Sequence, residues 1–547
     1  MIWPDLEQLT IPQLIKRLSS PFSLSKVNAL RELHRRLILA KGKKESRAAI
    51  DATLIAAVLV RLLKSCWRST AIEAAKCLAA MAAAEADVVI EAGVVPALQQ
   101  QLSSPHLDVR VQAACAICTI AIKTHKGRLG VSKTSLLGVI SSGICKGDPS
   151  IQLIAAMALR LLMCIQWGPA MPGIIDAGVI QPLVAVLTDP ARPHLQYEAA
   201  WALANIAGHG PFPRDLVLAA GVMEPLLKVL HDSKDMWMLR TATWALSNLS
   251  QNPQPPFELV SPAVPVVAEL IKTPDQDTEV LRGWCRMLSY FTQEGGDERI
   301  GAVVDSGVCG RLVELMRHDS HKVQRHALRT VGGITRGTHE QTQVVIECGA
   351  IAALKASLSS PNEDIRKEAC FAIFNIMGGT RDQRQAVIDS GMVPQLVFIA
   401  TTDVPSVKQV ALWAVMHGVG RGSQAQVEYL VGCGCVGPLC DLLVDGAQVV
   451  ILNGALVAIN KLLDVGHQVQ VRDGLPQNPY RNLIQQADGQ RRISQLAHHA
   501  DGGIRIRSRG LLFLLAADGG DTDTDVGSAD SDARGSDWET MSEDSVE

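Results

Sequence analysis

The sequence predicts an all-α solenoid, and three observations carry that prediction. One helical phrase recurs along the chain at steps of about 42 residues, a period that belongs to stacked helical repeats. Hydrophobic residues make up 47% of the 547 positions while aromatics make up only 4%, the balance expected of helices packed through Ala, Leu and Val. Glycines fall at matching places in successive units, where a helix has to end in a left-handed residue.

The phrase is clearest in Gln196-Tyr197-Glu198-Ala199-Ala200-Trp201-Ala202-Leu203-Ala204-Asn205 and Arg240-Thr241-Ala242-Thr243-Trp244-Ala245-Leu246-Ser247-Asn248. Each sets Trp and Asn four residues apart, one turn apart on one helix face. Forward from Trp244 the register meets Arg286, Arg329, Phe371 with Asn375, Trp413 with His417, and Ala455. Backward it meets Met157 with Leu161, Cys115 with Thr119, Lys76 with Ala80, and roughly Arg31.

Taken in order, residues 1–53 read as an imperfect capping repeat, with two helices between Ile11 and Leu39 and a basic stretch from Arg35-Arg36 to Arg47 that reads as a solvated loop. Residues 54–464 read as regular repeats of a short helix, a Gly turn, a second helix, a Pro- or Asp-rich turn and a third helix. The turn glycines are Gly93, Gly178, Gly221, Gly307, Gly349 and Gly391. Three helices per unit specify an armadillo-type repeat, so the expected architecture is a right-handed armadillo superhelix with the third helices on one concave face. Residues 465–517 read as a loop from Gln468 to Asn478 followed by a terminal cap, with helices over 484–496 and 504–515. Residues 518–547 hold eleven acids and one Arg, too little apolar surface to fold, and read as a disordered tail.

Chemistry narrows the function. A net charge of -3, from 52 basic and 55 acidic residues, gives no global pull toward nucleic acid. Thirteen cysteines sit mostly at apolar positions. Cys115-x-x-Cys118 and Cys433-x-Cys435 lack a second ligand cluster, so no metal, no cofactor and a reducing compartment are expected. No basic and apolar leader opens the chain, and no uninterrupted span reads as a membrane helix. His417-Gly418-Val419-Gly420-Arg421-Gly422 mimics a phosphate loop but follows no strand, and without a Ser elbow or His-Glu metal pair the chain does not read as an enzyme.

The Trp and Asn pairs suit an extended peptide, since Asn offers a donor and an acceptor to backbone amides and Trp rings can hold lysine stems. Together with Pro255-Pro256-Phe257, Gly307 to Leu315, Glu340 to Ile346, Lys367-Glu368-Ala369-Cys370 and Gly437 to Leu443, these residues resemble importin alpha, the armadillo adaptor family for basic nuclear localisation signals. The resemblance covers about residues 88–515. It implies a nuclear import adaptor found in cytoplasm and nucleus, with a major groove at Glu198, Trp201, Asn205, Trp244 and Asn248. It also implies a minor groove at Arg329, Thr342, Glu368, Asn375 and Trp413, and makes the terminal repeat a candidate contact for an export receptor. The alternative is an armadillo interaction scaffold with no part in nuclear import.

Departures from the family pattern are specific. The rung before Trp201 is Met157 and Leu161, and if the Trp201 unit is the middle repeat His209 stands where an Asp usually takes the key lysine, with Glu198 the nearest acid that could stand in for it; the assignment stays open, since Gln196-Tyr197-Glu198 looks like the first rung and Arg214-Asp215-Leu216 like the second. The second ladder has Phe371 for Trp, with Gly333 and His417 for Asn. Repeats begin near residue 11, without the family's long basic segment, which leaves coupling to importin beta in doubt.

Overall fold

A computed structural model describes residues 6–19, 23–39, 52–123, 133–163, 171–274, 276–293 and 296–516. Every regular element among them is a helix. The chain forms two compact units, residues 1–263 and 264–547. The basic stretch after Ala40 and the acidic tail after Asp518 lie outside the described residues, whereas Arg35 and Arg36 are described and pair with Glu32.

The first unit stacks six long helices, α1 (Ser23–Leu39), α2 (Arg68–Glu91), α3 (Leu107–Lys123), α4 (Pro149–Met163), α5 (Pro193–Ala207) and α6 (Met236–Leu249), each packed on the next. The second unit does the same with α7 (Thr278–Gln293), α8 (His321–Ile334), α9 (Glu363–Gly378), α10 (Pro405–Gly420), α11 (Val449–Asp473) and α12 (Gly502–Ala516). Ala and Leu dominate these contacts, with Ala199, Ala200, Ala202 and Leu203 of α5 all buried. Small residues let the helix axes approach closely, and stacking buries faces that no unit could bury alone.

The turns are set by local chemistry. All six glycines singled out by their spacing have positive φ, Gly349 at +90°, and Gly434 makes a seventh. In the second unit the short helices His339–Glu347 and Arg381–Asp389 begin with reciprocal capping boxes, Thr338 with Gln341 and Thr380 with Gln383, and at the start of Gln424–Gly432 the Gln426 side chain accepts from the Ser423 backbone N–H at 3.2 Å. Each Gln also donates to a carbonyl one repeat earlier: Gln341 to Asp297 at 3.0 Å, Gln383 to His339 at 2.8 Å and Gln426 to Arg381 at 2.9 Å. One residue thus starts a helix and ties it to its neighbour.

Two expectations are corrected near the C-terminus. The loop placed over Gln468 to Asn478 is mostly helix, because buried Val465 and Val469 continue the apolar face of α11 until Gly474 ends it at φ +64°. Asn478 then caps the next helix, Pro479–Gln486. The 25-residue α11 is also long and apolar enough to cross a membrane by length and composition, but most of that stretch is buried inside the unit against α10 and α12.

Candidate peptide-binding site

In the first unit, helical spacing puts Glu198, Trp201 and Asn205 on one side of α5, and Trp244 and Asn248 on the matching side of α6. Trp201, Asn205 and Trp244 are half-buried. The two indoles meet edge to face, centroids 5.5 Å apart at 60°. This is a favourable aromatic pair, but it closes the space between the rings. A slot for an alkyl stem would need roughly 7 Å, two van der Waals contacts.

The asparagines differ from each other. Asn205 donates to the Trp201 carbonyl one turn back, at 3.0 Å, and stays partly open. Asn248 is only 5% exposed and donates across the repeat boundary to the Ala204 carbonyl at 2.9 Å. Asn375 makes the same kind of bond in the second unit, to Gly332 O at 3.1 Å and Thr335 Oγ1 at 3.2 Å. These two amides therefore tie repeats together, whatever else they contact.

Glu198, read from the sequence as the stand-in acid, is 7% exposed and already carries a cation. Arg160 of α4 donates from Nε to Glu198 Oε2 at 2.7 Å, and its guanidinium lies 5.6 Å from the Trp201 ring centroid. Sequence reasoning singled out Met157 and Leu161 on this helix and missed Arg160. The available signal was that Arg160 is the lone charged residue in Pro149–Met163, one turn from the register position. His209 is exposed.

The second unit brings together only part of its set. Arg329 Nε lies 3.7 Å from Glu368 Oε1, and Arg325 Nε lies 3.9 Å from the same oxygen. Thr342 is buried and donates to the Thr338 carbonyl at 3.0 Å, a packing role. Trp413, expected on the open face, is 1% exposed. Phe374 of α9 lies against it, ring centroids 6.1 Å apart, and stacks on His417 at 4.2 Å. The expectation failed because an aromatic one residue before Asn375 covers the ladder from the preceding repeat.

The closely spaced Cys115 and Cys118 are packing residues. Cys115 and Cys118 are both buried, and burial pushes the Cys115 thiol up to about 11 and the Cys118 thiol well above its ordinary value, so both stay protonated at neutral pH.

Comparison with known proteins agrees with this architecture. The armadillo/beta-catenin-like repeat model matches residues 85–122, 174–208, 213–251, 296–336, 338–378 and 380–415. A solved engineered protein aligns with a TM-score of 0.67 and 26% identity, covering 78% of this chain and 99% of that one. A chain from a structure of the cadherin and beta-catenin interaction aligns at 0.69 with 15% identity, covering 93% and 99%, a likeness of fold alone. Importin subunit alpha-1b of Oryza sativa subsp. japonica is 35% identical over 396 residues, 64% of this chain and 73% of the relative. Importin subunit alpha-B of Dictyostelium discoideum is 41% identical over 397 residues, 64% of this chain and 76% of the relative. An all-helical armadillo stack with relatives matched over nearly three quarters of their length places the chain in a family: it belongs to the importin alpha family.

Proposed function

We propose that the chain is a non-enzymatic nuclear import adaptor that binds basic localisation segments of cargo proteins, working in both cytoplasm and nucleus. The observation that carries this reading is the shared surface of Glu198, Trp201, Asn205 and Trp244, where a buried acid adjoins two partly open indoles and an amide. Such a surface offers a ring face and a carboxylate to a cation and hydrogen bonds to an extended backbone. In the second unit Arg329, Glu368 and Asn375 remain candidate contacts for a second basic segment, while Thr342 and Trp413 act through packing.

Titrating a lysine-rich peptide calorimetrically into the full chain tests the reading, with a Lys-to-Ala peptide as control. Trp244→Ala should weaken binding by about 1–3 kcal/mol, the scale of an aromatic anchor. Asn248→Ala should in addition lower folding stability by about 1–3 kcal/mol, because the Ala204 carbonyl loses its donor. No binding by the wild-type chain would sink the proposal.

Burial of Trp413 favours a second reading, an armadillo scaffold for partners that are not basic. Under it, Trp244→Ala leaves basic-peptide binding, weak or absent from the start, where it was.

A further inference from the structure

A basic side chain seeking Trp201 and Glu198 meets one already there. Arg160 donates to the carboxylate at 2.7 Å and sits 5.6 Å from the indole centroid, while Trp244 meets the same indole at 5.5 Å. Among the described residues Glu198 and Trp201 are the hydrogen-bonding, ion-pairing and ring partners of Arg160. Its side chain is 27% exposed, so solvent lies open beside it and the long stem can swing out.

We propose that Arg160 is a resident competitor for the ligand's own cation, so that the Trp201 and Glu198 slot opens to cargo only when Arg160 leaves it. The proposal rests on the basic-peptide reading above and deepens it. It also defines the cation that fits best. Arg160 donates from Nε to the carboxylate while its guanidinium carbon lies over the indole, and the broad guanidinium of a ligand arginine can repeat both contacts at once. A lysine ammonium is a point charge and repeats only one at a time. The favoured ligand at this position is therefore an arginine-bearing extended segment, with lysine second.

Linkage gives the competition a signature. Displacing Arg160 costs the same whichever cation displaces it, so its removal should tighten Arg and Lys ligands by one common factor and leave their ratio alone. A ligand that does not enter the slot should gain nothing.

The test uses the full chain, Arg160→Ala, and three peptides identical except for Arg, Lys or Ala at one position, measured by calorimetry. Arg160→Ala should tighten the Arg and Lys peptides about tenfold each, as for a slot open about a tenth of the time, and should not change the Ala peptide. In the Arg160→Ala, Glu198→Gln double variant the gain should vanish, since no carboxylate is uncovered. Arg160→Met, which keeps the stem's packing without a donor for Glu198, serves if Arg160→Ala folds poorly, with the same expectation. If the wild-type chain binds the Arg and Lys peptides and neither Arg160 variant tightens them, resident competition is wrong while the adaptor reading stands. Equal tightening of the Ala peptide also overturns it. If no chain binds any basic peptide, the adaptor reading falls and takes this proposal with it.

Discussion

Moving from pH 7 to pH 5 should lower the folding stability of the chain by about 4 kcal/mol, through two histidines of the second unit. His417 lies on α10 against the Phe374 ring, and burial, helped by the positive charges of Arg421 and Arg384, pulls its pKa down to about 3. His326 on α8 is pulled down to about 3 as well, by burial first and then by Arg286, Arg325, Arg329 and Arg282. Both groups bind protons more readily unfolded than folded, so their neutral burial is tolerated above about pH 6.5 and is lost as the pH falls from there toward 3. At 1.36 kcal/mol per unit, each contributes a loss of about 2 kcal/mol at pH 5. Carboxylates such as Glu32 and Asp403, held below their ordinary values chiefly by hydrogen bonds from Arg35 and Arg366, lose their contribution only at lower pH. The window between 6.5 and 5 therefore isolates the histidines, and His34 of the first unit, which burial also pulls below its ordinary value, adds to the loss in the same direction. Urea unfolding at several pH values should give a slope of about two protons or more, and His417→Phe, which keeps the ring stack without the titration, should lower it by about one proton. A flat profile from pH 7 to 5 would show that neither histidine is held neutral by the fold.

The repeat stack was legible in the sequence because its cause is periodic. Apolar spacing, a left-handed glycine after each first helix and the 42-residue step depend on single residue types at fixed offsets, and the structure places Gly93, Gly178, Gly221, Gly307, Gly349 and Gly391 accordingly. The loop after Leu463 misled because polar Gln468 and Gln470 lie on the outer side of α11, where they say nothing of the buried Val465 and Val469. The candidate site was less legible because its state depends on pairs far apart in sequence. Arg160 lies 38 residues before Glu198 and Phe374 lies 39 before Trp413, and the side chain of one decides what the other exposes. Position along the ladder predicts which face a residue joins. It does not predict what a neighbour from the previous repeat lays over it. Thus Trp201 stays half-open beside an arginine while Trp413, at the same register, is sealed by a phenylalanine.

Gly333 is the sharpest case, and restoring the family's asparagine there should destabilise the chain by about 3 kcal/mol rather than repair the ladder. A Cβ at Gly333 would lie 2.7 Å from the Thr292 carbonyl oxygen and 2.6 Å from Thr292 Cβ, and would also collide with its Oγ1. The hydroxyl could rotate, but the carbonyl belongs to α7 and can move only if α7 and α8 separate. The missing side chain is thus what allows these two helices their close approach. Even Gly333→Ala should lose about 2 kcal/mol, since the overpacking outweighs the roughly 1 kcal/mol that alanine gains over glycine in a helix. The adjacent glycine provides the control. A Cβ at Gly332 would meet Ala372 Cβ and Phe371 Cδ1 at 3.7 Å, ordinary contact distances. Gly332→Ala should therefore stabilise the chain by about 0.5–1 kcal/mol. Thermal or urea unfolding of the two alanine variants should shift in opposite directions. If both shift upward, α7 and α8 have room that these distances deny, and the absent asparagine at this rung would need another cause.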